Sequence, residues 1–148
     1  MRVPTARDMR ELGVRLAGLL RAGDLVVLSG GLGSGKTTLT QGIGEGLKVR
    51  GPITSPTFVI ARVHPSLSGG PPLVHVDAYR LDGWVEVDDL DLDASLDEAV
   101  TVVEWGAGLV EGLAADRLEV ELTADDRDEE RVVRLAGIGD RWAGPAPL

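Results

Sequence analysis

Residues 24–41 read DLVVLSGGLGSGKTTLTQ, and the fold turns on whether the GGLGSGKT inside them is a phosphate cradle or a glycine-rich turn. Gly30, four intervening residues and then Gly35-Lys36-Thr37 satisfy the P-loop spacing. Leu25 to Leu28 is a continuous apolar run of strand length, the pattern of a strand covered on both faces. After Lys36, Leu39, Ile43 and Leu47 recur every four residues, which predicts a helix that leaves the loop and ends near Gly51-Pro52. The cradle thus has the strand before it and the helix after it that its chemistry needs. Glycines let consecutive N–H groups point inward, and the helix start adds its positive dipole end. Lys36 would reach the β- and γ-phosphates, and the Thr37 hydroxyl would join a Mg²⁺ shell otherwise made mostly of water and phosphate oxygen. A chance turn is the competing reading, since the chain holds 20 glycines where average usage predicts about ten. Its two lysines, Lys36 and Lys48, argue against chance, because composition does not place one of them between Gly35 and Thr37.

Upstream, Thr5 with Asp8 resembles a capping box, and Met9, Leu12, Leu16, Leu19 and Leu20 share one helical face, which predicts a helix from about Ala6 to Arg21. Downstream, Phe58 to Val63 and Leu73 to Asp77 read as antiparallel strands joined by the turn SLSGGPP. Gly83 to Glu98 reads as short helical turns, Thr101 to Glu104 as a strand and Ala107 to Leu113 as a short helix. Arg117 to Thr123 and Arg131 to Ala136 alternate apolar and charged residues around TADDRDEE, a half-exposed hairpin. The expected fold is α/β: a P-loop fold whose mixed, mainly parallel sheet is flanked by helices and carries a C-terminal antiparallel hairpin. A single domain over residues 1–137 is followed by a tail, 138–148, with no assigned element.

A P-loop enzyme also needs an acid that holds the metal shell or orients the attacking water, placed at the carboxyl end of a neighbouring strand. LVHVD ends in Asp77 and TVVE ends in Glu104, so these two carboxylates are the catalytic and metal-ligating candidates. His75 lies on the strand face of Asp77, as a site-shaping or packed histidine, and Arg80 could meet phosphate or pair with carboxylates. The acidic run DDLDLD fails as a calcium loop, because counting from Asp89 puts Ala94 and Val100 where glycine and glutamate are required.

At 148 residues the chain suits one domain with a self-sufficient core. The absence of cysteine fits a reducing compartment, so cytoplasm is expected, and neither a signal-peptide run nor a stretch of about 20 apolar residues suggests a membrane. A formal charge of −9 disfavours direct contact with nucleic acid.

With GGLGSGKTT, then TSPTF at Thr54 to Phe58, HVDAYR at His75 to Arg80 and VEW at Val103 to Trp105, the sequence resembles the TsaE (YjeE) ATPase family. The resemblance implies binding of ATP and Mg²⁺, docking on the TsaB and TsaD proteins, and ATP hydrolysis that supports N6-threonylcarbamoyladenosine formation at position 37 of tRNAs reading codons that start with A. The tRNA would be met only through that complex. It further implies that Gly31, Leu32, Gly33, Ser34, Gly35, Lys36, Thr37 and Thr38 form the cradle. Thr57 would act as a switch threonine, and Arg80 and Trp105 would lie by the nucleotide. Asp77 and Glu104 match the family's acids, with Thr37 on the metal. Three positions depart from the family pattern: Gly31 stands in place of Asp, Met9 in place of a threonine near the base, and Gly106-Ala107 in place of an acid or proline.

Two other readings use the same cradle. A small nucleoside or nucleotide kinase needs an acceptor pocket and an arginine-bearing lid, for which little chain is left. A regulatory module would use nucleotide to control docking with little hydrolysis. A GTPase is disfavoured, since the chain has no asparagine for an Asn-Lys-x-Asp base reader and no Asp-x-x-Gly.

Overall fold

The computed structural model describes residues 2–30, 34–51, 53, 61–77, 98–104, 116–124 and 130–142. In chain order these form β1 (Arg2–Val3), α1 (Ala6–Ala17), β2 (Leu25–Ser29), α2 (Lys36–Leu47), β3 (Ala61–His64), β4 (Leu73–Asp77), β5 (Val100–Glu104), β6 (Arg117–Ala124) and β7 (Arg131–Ile138), then a 3₁₀ turn at Asp140–Trp142.

The capping box at Thr5 is formed. Its Oγ1 accepts the Asp8 N–H at 3.1 Å and donates to Asp8 Oδ2 at 2.8 Å. The helix stops at Ala17, short of Arg21, because the Leu19 and Leu20 amides reach back only three residues, to the Leu16 and Ala17 carbonyls. α2 likewise ends before Gly51-Pro52. Lys48 takes the left-handed conformation (φ 58°), and its amide and that of Val49 return to the Glu45 and Gly44 carbonyls. The chain then turns sideways. Arg50 donates to the Pro65 carbonyl and Leu67 to the Lys48 carbonyl, each at 2.8 Å, which ties the exit of α2 to the β3–β4 turn.

The sheet runs β1-β7-β6-β2-β5-β4-β3. Its centre is parallel, with β2 between β6 and β5 and β5 against β4. Antiparallel strands extend both sides: β3 on β4 as expected, and β7 on β6 followed by β1 on β7. β6 and β7 are the expected hairpin, one residue longer at the end of β6 and two longer at the end of β7. β1, two residues paired with Arg131 and Val132, has no counterpart in the sequence reading. Phe58 to Ile60, positions 83–97 and the helix expected at Ala107 to Leu113 lie outside the described residues.

Register sorts the strands into faces. Val26 and Leu28 align with Val102 and Glu104 on one side and with Leu118 and Val120 on the other. This face packs with Met9, Leu12 and Leu16 of α1 and with Leu39 and Ile43 of α2 in one core. Leu25, Val27, Val74, Val76 and Val103 of the opposite face are buried too, which is why these strands read as unbroken apolar runs.

Candidate functional site

The loop after β2 enters through Gly30 at φ 151° and leaves through Gly35 at φ 105°, the N-cap of α2. Gly30 is fixed twice over. A Cβ there would stand 2.5 Å from the Leu122 carbonyl oxygen and 2.7 Å from Ser34 Oγ, besides needing a backbone angle that L side chains rarely adopt. The Lys36 ammonium donates to the Gly30 carbonyl at 2.7 Å, joining the two ends of the loop, and the Thr40 hydroxyl donates to the Lys36 carbonyl at 2.9 Å. No side chain caps α2 and no acid lies in its first turn, so its first amides face the loop with their partial positive charge uncompensated by the helix itself. Thr37 and Thr38 are half-buried there, and Ser34 is buried with a hydroxyl that has no hydrogen-bond partner among the described residues.

The acids arrive by register. Leu28 of β2 aligns with Glu104 of β5, and Glu104 aligns with Asp77 of β4, so Glu104 ends the strand beside the one that feeds the loop and Asp77 ends the next strand out. Glu104 is 3% exposed, and its Oε1 has no hydrogen-bond partner among the described residues. Across the face, His75 Nε2 lies 3.4 Å from Glu104 Oε2. The structure thus brings together Gly30, Ser34, Gly35, Lys36, Thr37, Thr38 and Glu104 with the Asp77 backbone. Gly31, Leu32, Gly33, Thr57, Arg80 and Trp105 fall outside the described residues. Met9, which departs from the family pattern, is buried, and its Cε would stand 3.1 Å from a Cβ at Gly35. The sequence reading set it apart for a missing threonine; what it does is pack the outer wall of the loop's exit.

A family model described as "Threonylcarbamoyl adenosine biosynthesis protein TsaE" matches residues 3–133. The chain belongs to the TsaE family. The tRNA threonylcarbamoyladenosine biosynthesis protein TsaE of Streptomyces coelicolor is 67% identical over 139 residues, spanning 91% of this chain and 94% of that protein. Its counterpart in Bacillus subtilis is 33% identical over 142 residues, or 95% and 87% of the two chains. The crystal structure of Bacillus subtilis YdiB matches with a TM-score of 0.76 at 29% identity, covering 96% of this chain and 86% of that one. The P-loop α/β fold expected from GGLGSGKT is the fold of this TsaE chain. Among its described residues no helix is long and apolar enough to cross a membrane.

Proposed function

We propose that this TsaE chain is a Mg²⁺-dependent ATPase that docks on TsaB and TsaD and so supports N6-threonylcarbamoyladenosine formation at position 37 of tRNAs reading codons that start with A. One observation carries the reading: parallel register sets Glu104 between the P-loop strand and Asp77, at the edge where Lys36 closes the cradle. The residues present suit the ligands. The buried Glu104 carboxyl has one oxygen, and the buried Ser34 its hydroxyl, without a hydrogen-bond partner among the described residues, and a bound ligand or ion would satisfy both. Thr37, Asp77 and Glu104 would supply oxygens to Mg²⁺, which when bound neutralises charge on the phosphates. The chain's own part is positional. Lys36 and the first amides of α2 hold the phosphate oxygens, and one of the two acids accepts a hydrogen bond from the attacking water and orients it in line.

The regulatory module differs from the ATPase in turnover, which decides between them. The purified chain is mixed with TsaB and TsaD from the same source, and complex formation and phosphate release are followed with ATP, ADP and no nucleotide. ATP-dependent assembly with turnover well above that of the isolated chain is expected. Assembly without turnover selects the regulatory module, and no assembly under any condition overturns the docking.

A further inference from the structure

Two side chains in the sheet interior are polar, enclosed and short of partners. His75 of β4 is 0% exposed, and neither ring nitrogen has a hydrogen-bond partner among the described residues. Glu104 ends β5 almost as deeply buried. His75 aligns with Val102 and Asp77 with Glu104, so the imidazole and the Glu104 carboxylate are diagonal neighbours on one face, with Nε2 3.4 Å from Oε2. That separation exceeds a well-formed N–H···O bond. Hydrogen bonds in active sites are often long before substrate arrives and tighten in the complex.

A packing role explains His75 poorly. An apolar side chain would fill the same space without burying two nitrogens that form no hydrogen bond among the described residues, a burial that costs free energy. We propose that His75 is a positioning residue for Glu104, an inference that rests on the ATPase reading. With its proton on Nε2, the imidazole donates to Oε2 and fixes the plane of the carboxylate. Oε1 is then the oxygen left for the water or the metal shell. Both residues stand on adjacent strands of a packed sheet, which holds such geometry more tightly than a loop would.

The two ring nitrogens can be separated by substitution. In His75→Gln the amide nitrogen reaches the place of Nε2, in His75→Asn it reaches that of Nδ1, and His75→Leu offers neither. Partner-stimulated turnover should fall about tenfold in the Asn and Leu variants and largely recover in Gln. ATP affinity measured by calorimetry should stay within about twofold throughout, since a group acting mainly in the transition state lowers kcat without loosening the ground state. The Leu variant should melt no lower than the wild type. ¹⁵N NMR of the ring should find the proton on Nε2 and a signal that moves in Glu104→Gln. Full turnover in Leu, or losses that track melting temperature across all three variants, would overturn the positioning role. A wild-type chain that fails to turn over ATP with its partners overturns the ATPase reading instead. The ring signal then decides the contact alone, and a proton on Nδ1 or a signal blind to Glu104→Gln sinks it.

Discussion

Lys36, 7% exposed, closes the loop onto Gly30, and in the proposed ATPase its ammonium would meet the polyphosphate. Lys36→Ala removes a charge-assisted donor, worth about 1.5–3 kcal/mol, so ATP affinity should weaken roughly 10- to 150-fold by titration calorimetry. An unchanged isotherm would refute the cradle. The placement of Lys36 at the start of α2 was legible from spacing alone, and that of Asp77 and Glu104 at strand ends from apolar runs that end in an acid. The approach of His75 to Glu104 was not. Alternation puts His75 on the face of Asp77, but which residue it meets depends on β5 lying beside β4, and no local pattern encodes that neighbour. Ser34 was named with the cradle, but its burial was not legible, for a similar reason. Its burial comes from the path of the loop past Gly30 and Leu122, residues far apart in sequence.

The two helices meet through glycine. A Cβ at Gly42 would collide with the Arg10 carbonyl group and come within 3.0 Å of the Gly13 Cα, so α1 and α2 touch backbone to backbone. Alanine would gain about 1 kcal/mol of helix propensity, but overpacking costs about 1–3 kcal/mol, and here no side chain can rotate away to relieve it. Gly42→Ala should therefore melt a few degrees lower than wild type in a thermal scan, at roughly 2–4 °C per kcal/mol for a chain of this size. Gly18→Ala is the control, since its Cβ meets one atom at 3.4 Å and φ is −66°, and it should not lower the melting point. The helices themselves were legible because periodicity and the Thr5 cap agree. Their ends were not, since α1 closes in three-residue backward hydrogen bonds and α2 at a left-handed Lys48 where a glycine would be the usual marker.

Another element-scale contact gives a pH dependence. His64 of β3 holds the segment leaving α2, with Nδ1 3.0 Å from the Arg50 carbonyl oxygen, so its proton is on Nδ1. Burial pushes this imidazole below its ordinary value of 6.5, with His75 and Arg62 adding to the fall and the Arg50 carbonyl opposing it. The unfolded chain then binds a proton that the folded chain does not, so stability holds above pH 6.5 and declines as pH drops through 6.5 towards the folded value. Urea unfolding at about pH 7.5 and 5.5 should show this loss, and His64→Asn, which keeps a donor near the Nδ1 position, should lose less. Equal losses in both proteins would remove His64 from the account.

At the scale of the whole molecule, the parallel centre was legible and the way its margins close was not. The strand order β1-β7-β6-β2 brings the first strand and the last to one side of the P-loop strand, through pairings such as Val3 with Arg131 that span most of the sequence. Alternation within a two-residue strand carries no signal, and the glycine and proline of the tail hide a docked segment. Residues 140–142 form a 3₁₀ turn from which Arg141 reaches Asp24, with Nε and one terminal nitrogen each 3.0 Å from a carboxylate oxygen, while it also donates to the Leu19 carbonyl. Asp24 is 4% exposed and also accepts the Arg21 amide, so it sits where β2 begins, below the strand that ends in the cradle. We propose residues 1–137 as the ATPase domain, with the first residues of the tail latched beneath it. Arg141→Ala leaves the Asp24 carboxylate buried without its guanidinium, an uncompensated charge worth about 3–5 kcal/mol. A chain ending at residue 137 loses the same partner and the packing of Trp142 on the core, whereas one ending at Trp142 keeps both. Urea denaturation should thus show similar large losses for Arg141→Ala and for the chain ending at 137, and little for the chain ending at 142. Adding Asp24→Asn to Arg141→Ala should recover part of the loss by removing the stranded charge. If the double variant is no more stable than Arg141→Ala, the latch works through packing rather than through the ion pair.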